Sequence, residues 1–226
     1  MTTQLGMFAK YWQPGAVKTR LAASIGNDAA ASLHRLFVQT LLHRLQNVAS
    51  RNVLCFTPAN SATSFRDLHL DSWHLQPQAA GDLGTRMRHY FDTALSAVEP
   101  PRTVLIGSDS PDLPLECVQE ALERLREFPV VLGPTTDGGY YLIGLSQMVP
   151  PIFDDIPWST PDVWPQTTAR LATAQIPYHV LPQWYDVDDE AGLNSLLRQI
   201  TESESADHHL QTLKDAVQAV LDNLEP

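Results

Sequence analysis

The 226-residue sequence predicts an α/β fold of three layers, with helices on both faces of a mostly parallel sheet that becomes mixed in its second half. Three observations carry this. Strand-like and helix-like stretches alternate from Leu5 to about Gly133, the pattern of βαβ units. The strand-like stretches at 5–9 and 104–106 are unbroken apolar runs, as strands buried on both faces read. Two further runs, 130–133 and 140–145, follow one another across a short glycine-containing link and read as a hairpin, which makes the sheet mixed.

Taken in order, the first strand is 5–9, and residues 10–21 are a loop. A helix is expected over 27–49, where Ala30, Leu33, Phe37, Leu41, Leu45 and Val48 recur at helical spacing behind a cap at Asn27 or Asp28. A second strand at 53–56 ends at Thr57-Pro58, residues 61–71 hold one helical turn, and 73–75 alternate as a short third strand. Gly81-Asp82-Leu83-Gly84 opens a helix through Met87, Phe91, Ala94 and Val98. The fourth strand, 104–106, stops at Gly107-Ser108-Asp109, and Pro114 begins a helix with Val118, Ala121, Leu122 and Leu125 on one face. After the hairpin come a helix at 160–174, a strand at 178–181 and a helix at 188–200. Residues 1–200 thus read as a single domain. Residues 201–226 read as a polar linker and an amphipathic C-terminal helix, striped by Leu210, Leu213, Val217, Val220, Leu221 and Leu224. Such a stripe docks on its own domain, leaving a monomer, or forms a homodimer contact.

Net charge −11 argues against nucleic acid or an anionic membrane as partner, because nothing offsets phosphate repulsion over a wide surface. Small phosphorylated ligands remain open, since they need only a local basic cluster. Cys55 and Cys117 have neither metal spacing nor a disulfide framework around them. No basic leader precedes an apolar stretch, and no apolar run approaches a membrane span. A cytoplasmic protein is expected.

In an open α/β sheet, ligands bind beyond the carboxyl ends of the strands, and the unusual stretches fall there. Two of the three lysines, Lys10 and Lys18, share the first loop with Arg20 and the Pro14-Gly15 turn. Backbone N–H groups and ammonium groups in such a loop can cradle phosphate; a solvated turn pairing with surface carboxylates is the plainer account. No G-x-x-x-x-G-K-[ST] or G-x-G-x-x-G is present, which disfavours a P-loop and a dinucleotide site. Asp109, in Gly107-Ser108-Asp109-Ser110-Pro111-Asp112, can offer a carboxylate to a hard cation, with Asp188 or Asp186 as a second; Asp109 or Asp112 can equally cap the next helix. In Thr135-Thr136-Asp137-Gly138-Gly139-Tyr140-Tyr141 the glycines permit close backbone approach to a ligand, and Asp137 is placed for a sugar hydroxyl or as a base. Asp-Gly-Gly is also an ordinary hairpin turn. Trp158, Trp164 and Trp184 are either core or a stacking surface.

Together these motifs resemble the DUF2064 family, a bacterial group of glycosyltransferase-like proteins, some linked by name to arsenosugar biosynthesis. The resemblance rests on Lys10-x3-Pro14-Gly15-x2-Lys18-Thr19-Arg20-Leu21, Gly81-Asp82-Leu83-Gly84-x-Arg86-Met87, the Asp109 and Asp137 motifs, Trp158-Ser159-Thr160 and Asp186-Val187-Asp188. It spans roughly residues 5–200. It implies the GT-A, nucleotide-diphospho-sugar transferase-like fold, similar to small nucleotidyltransferases of molybdenum-cofactor and deazaflavin-cofactor synthesis. It also implies nucleotide and phosphate binding by Lys10, Pro14, Gly15, Lys18, Arg20, Gly81 and Asp82. Mg²⁺ or Mn²⁺ would sit on Asp109 and Asp188. The acceptor would meet Gly138, Gly139, Tyr140 and Trp158, with Asp137 and Asp109 catalytic. The family's first loop usually carries a proline two positions after the lysine, where this chain has Trp12.

The expected function is therefore metal-dependent transfer from a nucleotide-activated donor, glycosyl transfer from an NDP-sugar to a small acceptor. The alternatives are NMP transfer from an NTP to a phosphorylated small molecule with pyrophosphate release, and a non-catalytic nucleotide- or sugar-binding module.

Overall fold

The computed structural model describes residues 2–68, 71–149, 152–202 and 207–223. Within them one seven-stranded sheet runs in the order β3-β2-β1-β4-β6-β5-β7. Its strands are β1 (Thr3–Lys10), β2 (Arg51–Thr57), β3 (Trp73–Pro77), β4 (Arg102–Ile106), β5 (Val130–Pro134), β6 (Tyr140–Leu145) and β7 (Tyr178–Val180). β1 pairs in parallel with β2 and β4, β2 with β3, and β5 with β7; β6 is antiparallel to both β4 and β5. The sheet is mixed as expected, and the hairpin supplies the reversed strand. Because β6 runs backwards between β4 and β5, the turn that enters it lies on the same edge as the carboxyl ends of β1 and β4.

The helices are α1 (Thr19–Ile25), α2 (Asn27–Leu45), α3 (Ala62–Arg66), α4 (Leu83–Leu95), α5 (Leu115–Arg124), α6 (Val163–Thr173), α7 (Glu190–Glu202) and α8 (His208–Asp222). On one face α2 and α5 bury Leu41, Leu42, Leu45, Val118 and Leu122 against Leu5, Met7 and Leu54. On the other, α4 and α6 bury Met87, Tyr90, Phe91 and Leu171 against Val53, Cys55, Leu105 and Ile143. Successive strand residues face opposite sides, so both faces of β2 are covered and its apolar run is unbroken. These are the three expected layers. A third cluster joins Leu21 of α1, Leu33 and Phe37 of α2, Leu193 and Leu196 of α7, and Leu210, Leu213 and Val217 of α8. The apolar stripe of α8 is thereby covered by α2 and α7 of its own chain; Leu224 lies outside the described residues.

Some boundaries differ from the sequence reading. The helix after Gly81 stops at Leu95, and Val98 stands exposed ahead of Pro100-Pro101, where prolines disfavour further helix. α1 occupies residues read as loop; it buries only Leu21, too little to show a periodicity. Among the described residues, no helix is long and apolar enough to cross a membrane.

Candidate functional site

The loop after β1 is shaped by a turn over 13–16, closed by the Ala16 N–H on the Gln13 carbonyl at 3.0 Å. Gly15 takes a φ of 76° there, and proline followed by a positive-φ residue is the type II arrangement. Lys10 Nζ donates to the Ala16 carbonyl at 2.7 Å and holds the loop over the strand end. Trp12 packs on Phe65 with ring centroids 5.0 Å apart and anchors the loop to the core. The chain then presents Lys18 with φ 48°, a left-handed conformation that costs an L-residue energy and is kept where the surroundings demand it.

Lys18 is the centre of the site. Its side chain is 3% exposed, and its ammonium bridges Asp109 beyond β4 and Asp188 before α7, the latter at 3.0 Å. Arg20, from the first turn of α1, takes the other oxygen of Asp188. The two acidic segments are stitched together. The Val187 N–H donates to the Asp109 carbonyl at 2.8 Å, Ser110 Oγ donates to Asp186 Oδ1 at 2.7 Å, and the Tyr185 hydroxyl donates to Asp112. His34 of α2 is buried and bonds the Lys10 carbonyl through Nε2 at 3.0 Å, which makes Nε2 the protonated nitrogen.

Charge and burial compete here. Burial disfavours the charged forms of Lys18 and Asp109, but their attraction for each other outweighs it, so the Lys18 pKa rises and that of Asp109 falls. Burial, with the neighbouring carboxylates of Asp109 and Asp188, pushes Asp186 up to about 7. Burial lowers His34, and the ammonium groups of Lys18 and Lys10 lower it further despite Asp109. Asp112 is raised by burial, although Tyr185 bonds its ionised form.

A cavity of about 430 Å³ opens over this cluster and takes in Lys10, Lys18, Asp109, Asp188 and Tyr140 from the expected set. Its far wall carries Gln78, Leu83 and Arg86. The other expected residues lie elsewhere. Arg20 and Asp137 face a neighbouring groove that shares Asp186 and Asp188 with the cavity. Asp137 is exposed, and its Oδ1 is held by Thr135 Oγ1 at 2.5 Å and the Gly139 N–H at 3.2 Å. Pro14 and Gly15 form the exposed turn and do not line the cavity. Gly81, exposed at φ 113°, leads to Asp82, whose carboxylate caps α4 by accepting from the Thr85 N–H at 2.8 Å. A carboxylate so placed repels phosphate rather than binding it. A Cβ on Gly138 would meet the Pro161 carbonyl at 2.5 Å, so the close approach that glycine permits is to this chain's own backbone. The Trp158 indole lies against Gly84 and edge-on to Tyr140, with centroids 6.3 Å apart. The Trp164 backbone N–H donates to the Gly138 carbonyl, and Trp184 stacks on Tyr185; Trp158 and Trp164 pack against the core on one face of the sheet and Trp184 against the core on the other.

Sequence reasoning passed over Arg86, Gln78 and His34. Arg86 donates to the Gly81 carbonyl at 2.9 Å and to Gln78 Oε1 at 3.4 Å. Its signal was the motif it shares with Gly81-Asp82. His34 sits among the apolar positions of α2 with no ligand spacing to another histidine, so nothing in the sequence marks it out.

The family described as "Uncharacterized protein conserved in bacteria (DUF2064)" matches residues 23–160. The chain belongs to the DUF2064 family. A solved structure from Desulfovibrio desulfuricans G20, provisionally named a nucleotide-diphospho-sugar transferase, is 37% identical to this DUF2064 chain. It matches over 96% of this chain and 97% of that one, with a TM-score of 0.86. Two more distant structures show the same fold. A cytidylyltransferase from Leptospira borgpetersenii is 13% identical over 100% of this chain and 97% of that one, TM-score 0.59. The inositol-1-phosphate CTP transferase from T. maritima is 13% identical over 94% and 96%, TM-score 0.54. No functionally curated protein is detectably similar in sequence. The chain therefore has the nucleotide-diphospho-sugar transferase fold, as its motifs implied.

Proposed function

We propose that this protein is a divalent-cation-dependent transferase that takes an NDP-sugar and passes its glycosyl group to a small acceptor. The observation that carries the reading is the buried Lys18 ammonium held between Asp109 and Asp188 on the floor of the cavity. The fold is that of nucleotide-diphospho-sugar transferases, and the relative that is 37% identical bears that provisional name.

The donor set suits Mg²⁺ or Mn²⁺. Asp109 and Asp188 are hard oxygen donors that already converge on one positive charge, and Asp186 lies beside them. Mg²⁺ takes one or two carboxylates and fills its shell with water and phosphate oxygens. Asp109 and Asp188 would hold the ion, which would supply charge neutralisation at the diphosphate. Lys18 and Arg20 turn from their carboxylates to the phosphate oxygens, and Lys10 closes the phosphate end of the cavity. In the transfer the acceptor oxygen bonds the anomeric carbon as the carbon–oxygen bond to the β-phosphate breaks. The nucleoside diphosphate leaves with the electron pair, and the acceptor's proton passes to a carboxylate. Asp137 takes that part, since one of its oxygens has no partner among the described residues. The two buried thiols, Cys55 and Cys117, suit a reducing, cytoplasmic setting.

A thermal-melt screen with Mg²⁺ or Mn²⁺ against NTPs, NDPs and NDP-sugars tests the reading, because ligands that bind only the folded state raise the melting temperature. A metal-dependent rise largest with one NDP-sugar is expected, followed by nucleoside diphosphate release on turnover that Asp109→Asn abolishes. A rise with an NTP and release of pyrophosphate would replace glycosyl transfer by nucleotidyl transfer. Ligand binding without turnover under any acceptor would make the protein a binding module.

A further inference from the structure

The groove beside the cavity has a composition that the donor site does not use. It encloses about 500 Å³ between Arg20, the Thr136-Asp137 turn and the outer face of α7, where Ser195, Arg198 and Gln199 project. It shares Asp186 and Asp188 with the cavity, so the two spaces meet at the carboxylates placed around the donor phosphates.

The charges of the groove are unequally committed. Asp188 is taken by Lys18 and Arg20. Asp186 accepts from Ser110 at 2.7 Å, and Asp189 accepts the Gly192 N–H at 2.9 Å in the first turn of α7. Arg198 has only a long bond from Nη2 to Ser195 Oγ, 3.4 Å, and no carboxylate within ion-pair distance among the described residues. Asp137 lines the same groove and has no cation within ion-pair distance among the described residues. A guanidinium fork without an ion-pair partner, in one groove with a carboxylate that keeps one oxygen free among the described residues, fits a molecule with an oxyanion at one end and a hydroxyl at the other. The fork matches two oxygens of a carboxylate or phosphate, and the hydroxyl donates to Asp137.

We propose that this groove is the acceptor site, and that the acceptor is a small hydroxylated molecule bearing an oxyanion that Arg198 and Ser195 hold. The assignment rests on the transferase reading only for the word acceptor; the anion site stands on the groove itself. Binding there sets the hydroxyl beside Asp137 and directs it over the Asp186–Asp188 wall toward the donor. Uncharged polyols lose the Arg198 contact and bind weakly.

The full-length protein is titrated with D-glycerate, glycerol 3-phosphate and uncharged glycerol, by melting temperature and calorimetry, in wild type, Arg198→Gln and Arg198→Lys. Both anions are expected to bind, glycerol not. Arg198→Gln should weaken anion binding at least tenfold, Arg198→Lys less, while nucleoside diphosphate with Mg²⁺ binds all three proteins equally. Arg198 is exposed on α7, so the variants keep the fold, which their unliganded melts verify. The ratio of the two anions' affinities tells whether carboxylate or phosphate is preferred. Anion binding unaltered in Arg198→Gln, or glycerol binding as well as the anions, would overturn the proposal. Absence of nucleotide binding in all three proteins, with the anion site intact, would instead remove the donor reading.

Discussion

Replacing Lys18 by methionine keeps most of the unbranched side chain and removes its charge. At 3.0 Å from Asp188 and an effective dielectric of about 20, the attraction is about 5.5 kcal/mol, and a second carboxylate, Asp109, lies on the other side. Desolvating an ammonium that is 3% exposed cancels much of this, several kcal/mol per ion. Breaking a fully buried pair costs about 3–5 kcal/mol, but Asp109 and Asp188 keep 43% and 32% of their side chains open to water and can rehydrate. The net loss should therefore be about 2 kcal/mol, below the fully buried figure. For a chain of this size each kcal/mol moves the melting temperature by about 2–4 °C, so Lys18→Met should melt roughly 4–8 °C lower by circular dichroism. The variant also leaves Asp109, Asp186 and Asp188 one cation short. Millimolar Mg²⁺ should then raise its melting temperature more than that of the wild type. A melting temperature within a degree of wild type, or an equal Mg²⁺ response, would refute the view that Lys18 neutralises these carboxylates.

Other consequences follow from single contacts. Arg44, 5% exposed, donates to Asp207 at 2.7 Å and to the carbonyls of Pro111 and Leu113 at 2.8 and 3.0 Å; Arg44→Ala should cost about 2–4 kcal/mol and speed amide exchange in the loop after β4, and unchanged exchange there would deny Arg44 its brace. A Cβ on Gly84 would stand 2.5 Å from Trp158 Nε1 and 2.6 Å from the Phe153 carbonyl; because backbone is among the obstacles, Gly84→Ala should lose about 1–3 kcal/mol in a denaturant titration, and a neutral result would mean that the Trp158 segment is free to move. Burial, then the adjacent His208, lowers the pKa of His209 from 6.5, so the unfolded chain takes up a proton that the folded chain resists. Stability should fall as pH drops from above 6.5 toward the lower folded value, and His209→Gln should shrink the difference between melts at pH 7.5 and 5.5; an unaltered difference would clear His209 of the effect. Finally, a chelator should abolish nucleoside diphosphate binding measured by calorimetry, and full binding in its presence would remove the cation from the site.

The fold was largely legible because each layer leaves a local mark. Apolar runs marked the strands covered on both faces, helical periodicity marked α2, α4 and α5, and the Asp-Gly-Gly link marked the hairpin that puts β6 between its neighbours. α1 left no mark, since a seven-residue helix with one buried residue has nothing to repeat. The site was legible as a set of loops but not as a partition. Asp137 and Asp109 look alike in sequence, each an aspartate in a tight polar turn. Only the tertiary pairing of Thr135 with Trp184, which carries the hairpin turn toward α7, sends Asp137 to the groove while Asp109 stays in the cavity. Gly138 and Trp158 suggested a ligand surface, and both are taken up by contacts within the chain because the 158–164 segment folds back over the hairpin and α4.

Why Lys18, Asp109 and Asp188 meet follows from strand order. β1 and β4 are far apart in sequence but adjacent in the sheet, so the loop after each must occupy the same stretch of edge. The third segment is brought in by one backbone bond, from Val187 to the Asp109 carbonyl, and the side chains on either side of Val187 then flank Asp109. The outcome is a near balance: Lys10, Lys18 and Arg20 against Asp109, Asp186 and Asp188. Each of the three cations has an oxygen partner within the chain. A diphosphate would upset that balance, since its negative charge would compete with the carboxylates for the same ammonium and guanidinium groups. A divalent cation entering with the diphosphate would resolve the competition: Asp109 and Asp188 would hold it in place of Lys18, and Lys18 would be free for phosphate. On this electrostatic ground, and independently of any likeness to other proteins, donor and metal should bind together or not at all.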